Sequence, residues 1–224
     1  MRGSVTRQLA LAGAFAALTA AATPAAALEQ GDVLVRLRGI AVVPTEDSGG
    51  ISPDLQGASL AAQPSVMPEL DFTYMATDNI GLELILATTH HDIDGQGAIG
   101  SLDKVGETWL LPPTLLVQWH FMPQSSIRPY VGAGINYTIS YGEKASSSLE
   151  SALGGPTTLK LNNSIGWALQ AGVDYDVGEN WFLNADIKYI DMSMDADIIT
   201  GGTTRKAKVG ISPVVFGLGV GYRF

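Results

Sequence analysis

The side chains that could bind a metal or transfer a proton are few in this sequence. His90, His91, Asp92 and Asp94 lie close together, but their spacing matches neither the helical pattern of zinc sites nor the loop pattern of calcium sites. His120, the third histidine, lies in a segment of alternating apolar and polar residues and is expected to form a hydrogen bond there. The sequence holds no cysteine, no G-x-S-x-G or H-E-x-x-H motif and no phosphate-binding loop. It therefore predicts no enzyme, no metal site and no cofactor.

Charged residues also recur at alternate positions of otherwise apolar segments. Because they carry both signs of charge, opposite charges can pair wherever the fold encloses them. A fold that turns them inward would fill its interior with a polar plug, which opposes a continuous water-filled pore. The alternative is that these residues form structural ion pairs that only satisfy an enclosed polar core. The predicted plug consists of Arg36, Arg38, Glu69, Asp71, Glu83, His120, Asp174, Asp186, Lys188 and Arg223.

The segments that carry these residues are predicted to be β-strands. Within residues 165–176, one face carries Trp167 and Leu169, and the other carries Gln170 and Asp174. Successive side chains of a strand point to opposite faces, so a period of two gives one apolar and one polar face. Eight such segments are predicted, at residues 32–43, 66–76, 80–88, 108–121, 128–141, 164–176, 181–191 and 211–224.

The connections between these segments alternate strictly between short turns and long polar stretches rich in Gly, Ser and Asp. This order is typical of an up-and-down barrel of the bacterial outer membrane, with tight periplasmic turns, long outer loops and both termini in the periplasm. The predicted fold class is therefore all-β, an eight-stranded antiparallel transmembrane barrel. The short turns are residues 77–79, 122–126 and 177–180, and the long loops are residues 44–65, 89–107, 142–163 and 192–210.

Alternation alone does not say which face lies inside, and a soluble β-sandwich or lipocalin-like barrel is the competing interpretation. Aromatic residues near the ends of the apolar faces, such as Trp167 and Tyr175, favour a membrane interface. The chain ends on Phe224 at the edge of an apolar face, as outer-membrane barrels do. We therefore expect outer-membrane lipid to contact the apolar faces, and the barrel-assembly machinery to bind through Phe224.

The N-terminus and the composition of the chain limit where the protein can be located and which partners it can bind. Arg2 and Arg7 precede an apolar stretch that ends in small residues before Leu28, which predicts a secretory signal peptide over residues 1–27 and a barrel domain over residues 28–224. A membrane anchor is the alternative, but the apolar run is shorter than the roughly 20 residues that a spanning helix needs. The formal charge of the whole chain is −9 and its pI about 4.6, so we expect no nucleic-acid partner.

Toward the outer loops the inward-facing positions become apolar. An apolar upper lumen above a polar plug would admit a hydrophobic solute, which would leave sideways into the bilayer more easily than downward past charges. Pro112 and Pro113 remove hydrogen bonds from the strand ladder, and we expect them to help open this lateral exit. A β-bulge that fits the barrel's curvature is the alternative. The predicted apolar lining consists of Ile40, Val42, Leu110, Leu116 and Ile190.

Six stretches of the chain resemble the OmpW family of outer-membrane proteins, in the same order of strands and loops. The resemblance implies an eight-stranded barrel with a partly apolar lumen and a role in letting small hydrophobic compounds cross the outer membrane. Some members are implicated in stress responses or serve as bacteriocin receptors. The stretches are PELDFTYMATDNIGLELI (68–85), WLLPPTLLVQWHF (109–121), RPYVGAGINYT (128–138), WALQAGVDY (167–175), NWFLNADIKYIDM (180–192) and SPVVFGLGVGYRF (212–224).

Two functional classes stay open from the sequence. The first is a passive conduit for small hydrophobic solutes, which requires an apolar cavity of ligand size. The second is a non-transporting envelope or receptor barrel whose outer loops bind partners such as bacteriocins or phages, which is compatible with a narrow, filled lumen.

Overall fold

The computed structural model describes residues 27–45 and 50–224. Residues 1–26, which include all but the last residue of the predicted signal peptide, and residues 46–49 lie outside the described residues. Within the described part, no helix is long and apolar enough to cross a membrane. The elements are β1 (Val33–Val43), β2 (Ala58–Ala62), β3 (Ser65–Met75), β4 (Ile80–Ala87), β5 (Thr89–Gly97), β6 (Lys104–Leu111), β7 (Thr114–His120), β8 (Ile127–Ala145), α1 (Ser147–Leu153), β9 (Thr157–Leu161), β10 (Ser164–Asp176), β11 (Trp181–Ile190), β12 (Ser193–Thr200), β13 (Thr203–Gly210) and β14 (Val214–Arg223).

Eight of these strands form a closed antiparallel barrel in the order β1-β3-β4-β7-β8-β10-β11-β14. Strand β1 closes the ring, because Val35 lies opposite Tyr222 on β14 and Phe72 on β3. The predicted eight-stranded up-and-down barrel is confirmed. The end of the barrel that carries the three short turns, Ala27 and Phe224 is called the turn end below, and the opposite end is called the loop end.

The apolar face of each barrel strand points outward. Ile165 is 79% exposed and Leu218 is 70% exposed, whereas Arg36 and Asp174 inside the barrel are fully buried. A soluble barrel would bury its apolar face and expose its polar one. The observed orientation suits a protein surrounded by lipid, in which alternate residues face hydrocarbon and the enclosed interior is polar.

The interior is narrow enough to require glycine on β14. A Cβ atom built on Gly219 would lie 2.1 Å from the carbonyl oxygen of Leu37, and one built on Gly221 would lie 2.2 Å from the ring of Phe182. Both distances are far below van der Waals contact. The two glycines therefore allow large side chains from other strands to fill the lumen.

The predicted long loops are in large part regular structure. Strands β5 and β6 pair with each other beyond the barrel, and β9, β12 and β13 form a separate three-stranded sheet. Ser146 caps α1 by accepting a hydrogen bond from the Leu149 amide at 3.1 Å. The polar, glycine-rich composition of these segments did not indicate these strands, whose apolar residues are buried in one cluster with residues of the barrel.

Apolar residues are buried in two separate clusters, one toward each end of the barrel. The loop-side cluster, called the apolar column below, runs from Ile40 and Val42 in the barrel to Leu60 and Leu159 in the hairpins. The turn-end cluster is smaller. It consists of Leu28, Leu34, Met75 and Phe182.

Candidate functional site

A network of buried ion pairs fills the lumen between the two apolar clusters. Arg36 lies at its lower part, where its guanidinium donates to Asp71 at 3.0 Å, to the Thr73 hydroxyl at 2.8 Å and to Asp174 at 2.9 Å. Asp71 and Thr73 lie on β3 and Asp174 lies on β10, so the contacts cross the lumen. We call the whole set the ion network. It consists of Arg36, Arg38, Lys188, Glu69, Asp71, Glu83, Asp174 and Asp186.

Arg38 and Lys188 form the upper part of the ion network. Arg38 donates to Asp71 and Asp186 and, at 2.9 Å, to Glu83. The Lys188 ammonium donates to Glu69 at 2.7 Å and to Asp186 at 2.8 Å. Three cations thus face five carboxylates, which gives the network a formal charge of −2. Because these side chains are at most 3% exposed, they obstruct a continuous water path through the barrel.

His120 lies inside the barrel but forms no ion pair in the network. Its Nε2 atom is 3.1 Å from the Gln118 side-chain oxygen, and its ring stacks on Tyr130 at a centroid distance of 5.2 Å. Arg223 does not join the network either. Its guanidinium donates to the carbonyl oxygen of Ala27 at 2.7 Å, at the turn end of the barrel.

The residues that close the turn end were not predicted from the sequence. The Phe182 ring lies 5.4 Å from the Arg36 guanidinium carbon and 5.7 Å from that of Arg128, which allows cation–π contacts beneath the ion network. Leu28 is fully buried there, and its amide donates to the carbonyl oxygen of Pro123 at 2.8 Å. Phe182 occupies an inward-facing position in the alternation of β11. This position could have identified it as a lumen residue from the sequence.

The five residues predicted to line the upper lumen are all buried in the apolar column. Ile40, Val42, Leu110 and Ile190 border a small cavity there, whereas Leu116 packs in the same column without lining it. The cavity volume is about 20 Å³, close to the space that one water molecule needs. A larger solute therefore requires side chains of the column to move apart.

Four polar side chains also border this cavity: Glu69, Thr89, His91 and Thr114. His91 is 2% exposed, and burial lowers the pKa of its imidazole because the charged form loses hydration. Its Nδ1 atom lies 2.8 Å from the carbonyl oxygen of Gln63, and its Nε2 atom lies 3.0 Å from the Thr89 hydroxyl. His91 is therefore a neutral, hydrogen-bonded residue of the cavity wall.

The barrel wall is interrupted beside this cavity at Pro112 and Pro113. The predicted strand over residues 108–121 is split there into β6 and β7, because neither proline has an amide hydrogen for the ladder. Pairing of β4 with β7 ends at Ile85 opposite Thr114. Pairing of β5 with β6 begins at Thr89 opposite Leu110. Between these pairs the two sides of the wall share no ladder position among the described residues.

Asn136 on β8 supplies hydrogen bonds at this break. Its side-chain amide donates to the carbonyl oxygens of Pro112 and Pro113 at 3.2 and 3.4 Å and to the Thr114 hydroxyl at 2.9 Å. The Tyr137 amide also donates to the Pro113 carbonyl oxygen, at 3.0 Å. One buried side chain thus substitutes for part of the missing ladder.

A groove lies on the lipid-facing side of the same break. Its volume is about 250 Å³, and its lining includes Leu84, Pro113, Ile135 and Asn136. Pro112, the preceding residue, borders the inner cavity. Consecutive residues of the chain therefore separate an apolar cavity inside the barrel from an apolar groove outside it.

The acidic and histidine cluster near residue 90 is divided by the fold. His90, Asp92 and Glu107 offer ligand atoms within 4.8 Å of one another. The Lys104 ammonium already contacts Asp92 at 2.7 Å and Glu107 at 2.8 Å, so a cation is supplied by the protein itself. Asp94 instead accepts a hydrogen bond from the Gln63 side chain at 2.7 Å.

The chain is similar to known outer-membrane proteins in both sequence and structure. A model of the OmpW family matches residues 29–224. The chain is 40% identical over 212 residues to outer membrane protein W of Escherichia coli strain K12, which spans 94% of this chain and 97% of that protein. The crystal structure of the outer membrane protein OprG from Pseudomonas aeruginosa matches with a TM-score of 0.81 at 33% identity, over 88% of this chain and 98% of that one. A more distant relative is the dibenzothiophene metabolism operon protein PahQ of Pseudomonas aeruginosa, 26% identical over 75% of this chain and 76% of that protein.

Proposed function

The chain belongs to the OmpW family of outer-membrane proteins, and from this premise we propose that it gives small hydrophobic molecules a passive path across the outer membrane, with a lateral exit into the bilayer. The observation that carries the proposal is the break at Pro112 and Pro113 between the inner cavity and the outer groove. A solute in the apolar column meets buried charges below it and a weakened wall beside it. Moving sideways costs less, because it avoids bringing an apolar molecule among desolvated ion pairs.

The proposal places the turn end and both termini in the periplasm. Its support is the barrel anatomy, since short turns face the periplasm and long segments face outward in bacterial outer-membrane barrels. Trp181, Tyr222 and Phe224 form a chain of ring contacts at the turn end, with centroid distances of 5.0 and 4.7 Å, as an aromatic girdle at an interface requires. Phe224 is 71% exposed, so it is accessible to the barrel-assembly machinery in this proposal.

The apolar class of solute has independent support. The name of the relative PahQ links that protein to the metabolism of dibenzothiophene, an aromatic compound with no hydrogen-bond donor. The cavity of this chain is lined mainly by aliphatic side chains, which would favour compounds of that apolar character.

A receptor barrel is the second candidate function, and the narrowness of the cavity favours it. A volume of about 20 Å³ holds no hydrophobic solute without rearrangement. The sheet of β9, β12 and β13 gives the loop end an ordered surface that a partner could bind. This function needs no opening of the wall.

Uptake measurements distinguish the two functions. Cells with and without the protein are given a small apolar compound and a small hydrophilic one, and faster entry of the apolar compound alone supports the conduit. The double variant Pro112→Ala/Pro113→Ala tests the exit, with Pro68→Ala on the outward face of β3 as the matched control. Unchanged uptake by the double variant in an intact barrel would contradict the lateral exit, and unchanged uptake with and without the protein would favour the receptor function.

A further inference from the structure

The polar side chains around the cavity can accept hydrogen bonds but have no proton left to donate. A carbonyl oxygen can only accept, so the 2.8 Å contact between His91 Nδ1 and the Gln63 carbonyl places the ring proton on Nδ1. The Nε2 atom of this neutral ring is then an acceptor, and the Thr89 hydroxyl donates to it at 3.0 Å. Thr89 and His91 have therefore both used their donors.

Thr114 and Glu69 complete the polar lining, and they too have no free proton to donate. The Thr114 hydroxyl donates to the Pro112 carbonyl oxygen at 3.0 Å and accepts from Asn136 at 2.9 Å. Glu69, a carboxylate at the floor of the cavity, has only acceptor oxygens. Hence no polar side chain among the described lining residues can hydrogen-bond an acceptor group of a solute.

The charges below the cavity also disfavour a negatively charged solute. Glu69 is the member of the ion network that borders the cavity. It contacts the Lys188 ammonium at 2.7 Å and Arg38 Nε at 3.1 Å, and both cations also contact other carboxylates. The network carries a formal charge of −2. In a site of low dielectric constant this charge repels an anion more strongly than it would in water.

We propose that the conduit selects solutes by their head group: it takes apolar chains whose polar group donates hydrogen bonds, namely alcohols and primary ammonium ions, and rejects carboxylates of the same chain length. This selectivity rests on the proposed conduit function. A hydroxyl or ammonium group would find acceptors at Glu69 and Thr89, whereas a carboxylate would lose its hydration without gaining a donor. The head group would stay at the floor of the opened cavity while the chain lies in the apolar column.

The test compares three probes of equal chain length, 1-octanol, octylamine and sodium octanoate, at neutral pH. Uptake is measured in cells that lack the protein, cells with the wild type, and cells with Glu69→Gln. Glu179→Gln is the matched control, because Glu179 is an exposed carboxylate in a short turn at the other end of the barrel and does not line the cavity. The wild type is expected to accelerate entry of octanol and octylamine but not of octanoate. Glu69→Gln is expected to raise the octanoate rate relative to octylamine about tenfold, equivalent to about 1.4 kcal/mol at 25 °C.

A second variant keeps the charge and removes an acceptor. Thr89→Val alone would free the Nε2 acceptor of His91, so the variant is Thr89→Val/His91→Leu. It is expected to slow octanol and octylamine relative to a plain alkane, and it is informative even if Glu69→Gln fails to assemble. Equal acceleration of all three probes by the wild type would overturn the head-group selectivity while leaving the conduit in place. Acceleration of none of them, with no effect on the alkane either, would overturn the conduit function itself.

Discussion

Asn136 on β8 and Thr114 on β7 occupy paired positions, and the Asn136 side-chain amide donates to the Thr114 hydroxyl at 2.9 Å. The same amide reaches the carbonyl oxygens of Pro112 and Pro113. It therefore holds the interrupted part of the wall against its neighbour on one side. On the other side, toward β4 and β5, ladder pairing is missing between Ile85 and Thr89.

We expect Asn136→Ala to open the break more readily. Removing the amide leaves buried oxygens without a donor, at a cost of about 1–3 kcal/mol in the free energy of unfolding. Uptake of an apolar compound should rise, because the closed wall loses stability relative to the open one. The measurements are uptake and urea unfolding in lipid, with Asn163→Ala as the control, since Asn163 is exposed and bonds only to the Tyr137 hydroxyl among its side-chain contacts. Lower uptake by Asn136→Ala would contradict this role.

Asp71→Ala is expected to destabilise the barrel strongly. Asp71 accepts hydrogen bonds from both Arg36 and Arg38, so its loss leaves two buried guanidinium groups short of an acceptor. The free energy of unfolding should fall by about 3–5 kcal/mol. Denaturant unfolding checks this value, with the exposed Asp195→Ala on β12 as the control. Equal stability of the two variants would show that the network is not what holds the lumen together.

Gly219→Ala is expected to disturb the close packing of β14 on β1. The added methyl group would lie 2.1 Å from the Leu37 carbonyl oxygen, a backbone atom that cannot move aside alone. Overpacking of this kind costs about 1–3 kcal/mol. Gly178→Ala is the matched control, because nothing lies within 4 Å of its added Cβ, and its effect should stay within about 0.5 kcal/mol. The free energies of unfolding of the two variants are compared in the same lipid by calorimetry or denaturant. Equal values for the two variants would contradict the close packing at Gly219.

Glu107 makes the hairpin of β5 and β6 sensitive to acid. Hydrogen bonds from Lys104 and then Lys144 lower the pKa of its carboxyl from 4.5 to about 2. Because the pKa in the folded protein lies below that of the unfolded chain, the stabilisation is fully present above pH 4.5 and is lost as the pH falls toward 2. The stability difference between the wild type and Glu107→Gln should therefore shrink across this interval, as followed by unfolding at pH 6 and pH 3. A stability difference that stayed constant with pH would contradict the stabilising role of the Glu107 carboxylate.

The strands and their faces were predictable from the sequence because both depend on local order. The period of two fixes which residues share a face, so β10 begins and ends where the alternation begins and ends, at Ser164 and Asp176. The strict alternation of short and long connections gave the up-and-down topology. Aromatic residues at the strand ends and the terminal Phe224 indicated that the apolar face lies outside.

The contacts across the lumen were decided only by the tertiary structure. Arg36 and Asp174 are 138 residues apart in the chain, and whether they meet depends on the stagger of the strands around the closed barrel. Arg223 contacts the carbonyl oxygen of Ala27, a residue before the first strand, instead of joining the ion network. Alternation placed the charged residues inside, but only closure of the barrel fixed their partners. Likewise, Pro112 and Pro113 predicted a weak point in the wall from the sequence alone. That the Asn136 side chain of the neighbouring strand bonds to this point was visible only in the tertiary structure.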